Sequence, residues 1–182
     1  MAVHIPPRCP TYLLALALLT PVHVALAASE LPGGANSLRE VYDNWVLDCG
    51  IQKKESGPTV ACAISAQQVD QNSKRRIMGI GLSPSEDAGA KGSLVMPFGL
   101  DLQKGVTLQI DDGPVTSALQ FRTCLPSGCI VTLDWKQPSV EALRDGTTLK
   151  IAATADDGHP VSLSLPLKGF SPGLDRAVEL TK

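Results

Sequence analysis

Histidine is nearly missing from this chain of 182 residues, and so is any surplus of positive charge. Of three histidines, His4 and His23 stand among the first 27 residues, and only His159 lies beyond them, between Gly158 and Pro160. A single histidine in a turn reads as exposed and does not form the nucleophile and base pair that hydrolysis needs. Neither G-x-S-x-G nor H-E-x-x-H occurs, so no catalytic residue is assigned and the chain is read as a non-enzyme. Lys and Arg number 16 against 18 Asp and Glu, with the charges scattered. That distribution offers no basic stripe for phosphates and argues against a nucleic-acid partner. Gly79-Ile80-Gly81 has no third glycine and no following helix, which excludes a phosphate loop, and no cofactor is implied. Aromatic residues are only 4% of the chain, so Trp45 and Trp135 are read as core or strand-pair residues.

A long uninterrupted apolar run is also absent. Spanning a bilayer takes about 20 mainly apolar residues, whereas the stretch from Tyr12 to Leu19 is followed by Thr20, Pro21 and His23. With Arg8 before it and Ala25-Leu26-Ala27 after it, this stretch has the three parts of a cleavable secretory signal over residues 1–27. A lipoprotein needs a cysteine directly after the small-residue site, whereas Cys9 lies upstream of the apolar run and the next is Cys49, so no lipid anchor is expected. The expectation is a periplasmic or secreted bacterial protein with no integral membrane span after cleavage. Processing leaves 155 residues with 15 Lys and Arg against 18 Asp and Glu, a net charge of −3 and a length suited to one domain. Residues 28–44 read as a flexible leader and residues 45–182 as a single β domain, although Ser37-Leu38-Arg39-Glu40 has a capping-box pattern that suits a helical turn.

Removal of Cys9 leaves an even set, Cys49, Cys62, Cys124 and Cys129, which in an exported chain implies disulfides. Three pairings exist on paper. Cys49 with Cys62 and Cys124 with Cys129 is favoured, because each joins segments expected to be adjacent strands or one tight loop. The spacing from Cys49 to Cys62 is too wide for a four-cysteine zinc site, so no metal is assigned. Four residues separate Cys124 from Cys129, unlike a redox-active C-x-x-C, and both bonds are read as structural.

Beyond Trp45 the segments are short, β-rich and partly alternating. Nine strands are predicted: Trp45 to Cys49, Val60 to Gln68, Arg75 to Leu82, Ser93 to Met96, Val106 to Ile110, Leu119 to Cys124, Ile130 to Asp134, Thr148 to Ala153 and Val161 to Leu165. Asp112-Gly113-Pro114, Ser127-Gly128, Asp145-Gly146 and Asp157-Gly158 fall where hairpins must reverse, with glycine expected to supply positive φ. The fold class expected is all-β, a β-sandwich or partly open barrel of about nine short antiparallel strands with a short C-terminal helix. That helix is predicted over Ser171 to Leu180 with Ser171 as cap, and one further turn at Val140 to Arg144.

Two other clusters carry charge. Asp111 with Asp112 and Asp156 with Asp157 run into glycine turns, so turn chemistry accounts for them better than acid-base work or calcium. Lys74-Arg75-Arg76 follows the turn-like Gln71-Asn72-Ser73. It reads as a solvated hairpin end in preference to a site for an anionic polymer or lipid headgroup.

Trp45-Val46-Leu47-Asp48-Cys49, Met96-Pro97-Phe98-Gly99-Leu100, Leu108-Gln109-Ile110-Asp111, Phe121-Arg122-Thr123-Cys124, Gly128-Cys129 and Leu167-Lys168-Gly169-Phe170 follow one another in an order and spacing that resembles the invasion-associated locus B family. The resemblance implies an exported protein of the proteobacterial cell envelope without an established enzymatic activity. The family is named for a link to host-cell invasion in pathogens, yet many members occur in bacteria that invade nothing. The function expected is a non-enzymatic interaction module whose partner is an unknown envelope or surface protein. The rival expectation is a periplasmic small-ligand binder, since sandwiches and barrels hold ligands between sheets or at a mouth.

Overall fold

The computed structural model describes Met1, residues 30–55 and residues 57–182. The export signal read over residues 1–27 lies outside the described residues, Met1 apart. The described chain runs β1 (Ser37–Tyr42), β2 (Trp45–Lys54), β3 (Gly57–Val69), β4 (Arg76–Pro84), β5 (Ala90–Met96), β6 (Thr107–Ile110), β7 (Phe121–Leu125), β8 (Gly128–Trp135), α1 (Gln137–Asp145), β9 (Thr148–Thr154), β10 (Pro160–Pro166) and α2 (Phe170–Leu180). A seven-stranded antiparallel sheet has the order β1-β2-β3-β4-β5-β8-β7, and a three-stranded one the order β10-β9-β6. The larger sheet ends on β1 and β7 without closing on itself, so the all-β fold is an open pair of sheets.

Alternation explains which face is buried. Val60, Cys62, Ile64 and Ala66 of β3 point inward, while Ala61, Ala63 and Ser65 point to the outer face, as the period of two along a strand requires. Inward residues of both sheets join the buried face of α2, with Phe170, Leu174 and Ala177, in one continuous core. α2 crosses β1 to β4 and touches α1. Trp45 and Phe170 meet edge to face, 5.1 Å between centroids at 70°. The indole N–H donates to the Pro166 carbonyl at 3.1 Å, which satisfies the one polar atom of a ring only 1% exposed.

Each disulfide links directly opposed residues of one hairpin. Cys49 faces Cys62 across β2 and β3, and Cys124 faces Cys129 across β7 and β8. The first is buried; at the second, Cys124 is exposed and Cys129 buried. In the loop-entropy picture, closing 13 residues contributes about 3 kcal/mol and closing 5 about 2 kcal/mol. Urea unfolding should therefore show a larger loss for Cys49→Ala/Cys62→Ala than for Cys124→Ala/Cys129→Ala. Mild reductant should open the exposed pair first, read by alkylation and mass spectrometry.

Three expectations need correction. The leader read over residues 28–44 is structured in its second half: residues 37–42 form edge strand β1 where a flexible leader and a helical turn were expected, and Leu31 is buried. Asp43-Asn44 turns the chain so that Tyr42 opposes Trp45, and pairing along β2 outweighs the local capping signal of Ser37 and Glu40. Arg176 of α2 then holds Glu40 at 3.3 Å, with the Tyr42 hydroxyl donating to the same carboxylate at 2.6 Å. At α2 the N-cap is Gly169; Ser171 lies inside the helix, where its hydroxyl accepts from Arg144 at 2.9 Å. Positive φ occurs at Gly128 and Gly158, yet Gly146 has φ −79° because it ends α1 and turns no hairpin. Near Gly113 the left-handed residue is Asp111, at φ 48°.

Candidate functional site

The β6 strand ends in a tight reversal that the small sheet uses as a flap. The Gly113 N–H donates to the Ile110 carbonyl at 2.9 Å, and Gln109 Nε2 donates to the Gly113 carbonyl at 2.8 Å. The chain then returns along β6, with the Thr116 N–H on the Leu108 carbonyl at 2.8 Å and the Leu108 N–H on Thr116 Oγ1 at 2.9 Å. Facing this flap is the start of α1, where a proline sits in the first turn and contributes no N–H to be satisfied. Between them opens a cleft of about 380 Å³, floored by Leu108, Ile110 and Leu149 and walled by Trp135, Pro138 and Val115. Among the described residues no charged side chain lines it. Val115 is 57% exposed at the lip, and Thr116 and Ser139 bring hydroxyls to the lining.

A larger open groove, about 1090 Å³, runs between the β4–β5 loop, α1 and α2. Three of the four cations in its lining are already engaged, Arg144 with Asp175 at 2.7 Å, and Lys91 and Lys136 with Asp134 at 3.5 and 3.1 Å. With most of its cations paired within the fold, the groove has little left for an anionic ligand, and the apolar cleft is the better candidate.

The residues singled out from sequence do not converge. His159 is 80% exposed, and both its N–H and its Nδ1 contact Asp157 Oδ1, at 3.1 and 3.0 Å, within one turn. Those hydrogen bonds, the backbone one first, hold the Asp157 carboxyl below its usual range. Among the described residues no group of three His, Cys, Asp or Glu side chains is arranged to hold a metal. Trp45 is core, whereas half-buried Trp135 opposes Ala90 at the end of β8 and also walls the cleft. The cleft had no local sequence signature, because its walls come from residues 108–116, 135–142 and 149. The nearest signal was Trp135 standing three residues before Pro138.

Asp111 is a clamp between two segments. Its carboxylate accepts the Thr147 hydroxyl at 2.5 Å and the Thr147 and Thr148 N–H groups at 3.0 and 2.9 Å, tying the flap to the start of β9. The Thr147 hydroxyl, then the backbone donors, depress its pKa. A depressed carboxylate stabilises the fold above the unfolded value, about 3.9, and that contribution is lost as pH falls through the lower folded value. Asp111→Asn should therefore melt below wild type at neutral pH, with the gap closing in acid below about pH 4. A gap that stays constant down that range would show that the charge is not what holds the clamp.

Residues 45–178 match the family model described as invasion associated locus B (IalB) protein. This chain belongs to the invasion-associated locus B family. An invasion protein B homologue of Brucella abortus strain 2308 is 40% identical over 158 residues, covering 85% of this chain and 87% of that one. Invasion protein B of Bartonella bacilliformis is 33% identical over 159 residues, 86% of this chain and 83% of the relative. The crystal structure of invasion associated protein B from Bartonella henselae superposes with a TM-score of 0.72 at 35% identity, covering 79% of this chain and 97% of the other. Among the described residues no helix is long and apolar enough to cross a membrane.

Proposed function

We propose that this member of the family is an exported envelope protein that binds a partner protein through the cleft between the β6 flap and α1, without catalysing a reaction. The observation that carries this reading is an uncharged, proline- and tryptophan-walled cleft with Val115 exposed at its lip. Such a cleft takes an apolar side chain of a partner and gains by excluding water from it. Export is supported by the signal-like residues 1–27 and by two disulfides, which persist in oxidising compartments.

The test uses the exported protein and its Val115→Asp variant on envelope extracts of the source bacterium. An envelope protein retained by the wild type and released by Val115→Asp is the expected result. Equal retention by both, or turnover of a defined substrate by the wild type, would count against the proposal. The same cleft also favours a second reading, since about 380 Å³ falls within the size of small-ligand sites, about 300 to 1,000 Å³. A small neutral apolar compound should then raise the melting temperature saturably and shift the emission of Trp135. Trp45, the other tryptophan, is buried in the core and would not respond.

A further inference from the structure

The far end of the larger sheet, opposite the cleft, brings cations and exposed apolar side chains together. Three segments meet there: the β3–β4 turn over residues 70–75, the exit of β5 at Pro97-Phe98, and the β7–β8 turn. Arg76 spans the end of β5 and donates to the Ser127 carbonyl at 3.0 Å. Met96 opposes Cys129, and Leu125 opposes Gly128, whose Cα lies so close to the Met96 carbonyl that any side chain would collide with it. Phe98 is 61% exposed and Leu125 50% exposed.

Lys74, Arg75, Arg76 and Arg122 are all exposed, and none forms an ion pair among the described residues. Arg76 meets only a neutral carbonyl. The acid inside the turn, Asp70, is occupied by the Ser73 and Asn72 N–H groups at 2.6 and 3.2 Å. Asp156 and Asp157 border the surface, since the Asp156 N–H donates to the Gly99 carbonyl at 2.9 Å.

Unneutralised cations alone would suit any polyanion. A phenyl ring and a leucine left in water beside them suit an interface that offers negative headgroups and an apolar layer together. We propose that this end of the sheet is a peripheral contact surface for an anionic lipid bilayer. Lys74 and Arg75 meet the headgroup phosphates, and Phe98 and Leu125 enter the interfacial layer. Gly128 and Trp135 stand at opposite ends of β8, seven residues and about 23 Å apart at the usual strand rise. A protein resting on this surface keeps its cleft at the end remote from the lipid.

The test is flotation of the exported protein with vesicles of phosphatidylglycerol and phosphatidylethanolamine, against vesicles of phosphatidylcholine. Binding is expected on the anionic vesicles only and is lost in high salt. Lys74→Glu/Arg75→Glu should weaken it about tenfold or more, and Phe98→Ser should weaken it without altering its salt dependence. Lys53→Glu/Lys54→Glu, at the β2–β3 hairpin on the other end of the sheet, should leave it unchanged. Melting curves matching wild type establish that each variant is folded. Absence of binding to anionic vesicles overturns the proposal, as does equal weakening by the Lys53 and Lys54 pair, which would mark net charge alone. Wild-type binding by Phe98→Ser, with full competition by dextran sulfate, overturns it in favour of a soluble polyanion.

Discussion

Phe170→Ala should cost about 3 to 5 kcal/mol, a large share of the stability of a protein this size. The ring is fully buried at the first position of α2 and packs edge to face on Trp45. Trp45 in turn starts β2 and is bonded to the Pro166 carbonyl at the end of β10, so truncation opens a cavity where β2, β10 and α2 meet. Little can collapse into it, because Trp45 is held by its own hydrogen bond. Phe170→Leu should recover much of the loss by refilling volume. Combined with Trp45→Leu, the double-mutant cycle should yield a coupling of about 0.5 to 1.5 kcal/mol for the aromatic pair. Urea unfolding followed by circular dichroism measures all of these, and a loss below about 1 kcal/mol for Phe170→Ala would mean that the aromatic pair does not organise this corner.

Gly169→Ala should cost about 3 kcal/mol or more, although it adds a single methyl group. Gly169 has φ 95°, a region that side chains rarely adopt, and an added Cβ would run into the Tyr42 carbonyl carbon and oxygen. Both obstacles are backbone, so neither can rotate away. The neighbouring Asn44 N–H to Lys168 carbonyl bond, 3.4 Å, and the Lys168 to Asp43 ion pair, 2.7 Å, would move with any adjustment. Gly158→Ala is the control: its φ is 90°, but open space surrounds it, so it isolates the conformational cost from the steric one. A melting temperature for Gly169→Ala no lower than for Gly158→Ala would remove the steric explanation.

These two positions also account for the Leu167-Lys168-Gly169-Phe170 motif. Leu167 and Phe170 are core, Lys168 pairs with Asp43, and Gly169 lets the β1–β2 turn approach α2. This part of the family resemblance is thus a structural corner, and its Leu167 packs beside Ile110 of the cleft floor.

Most strands were legible because alternation is a local property. Within the Val60 to Gln68 stretch every second residue from Val60 to Ala66 is buried, whatever lies across from it. β1 was not legible, because Ser37-Leu38-Arg39-Glu40 satisfies a helix cap as well as an alternating edge strand, and only the backbone of β2 discriminates between them. Asp111 and Asp157 were correctly placed in turns, but the reach of Asp111 to Thr147 is a contact between distant segments that no turn pattern contains. Gly146 was misjudged for a similar reason, since the Ile110 and Leu167 side chains fill the space beside it.

By itself the sequence determined the all-β class, most of the turns, the even set of cysteines beyond residue 27 and the family, because each depends on residue type at short range. The tertiary structure alone decided that β1 is the sheet edge, that the β6 flap and α1 enclose an apolar cleft, and that Phe98 and Leu125 share an end with the Lys74-Arg75-Arg76 turn. Those features are made by residues far apart in the chain, which acquire a common surface only when strand order and register bring them together.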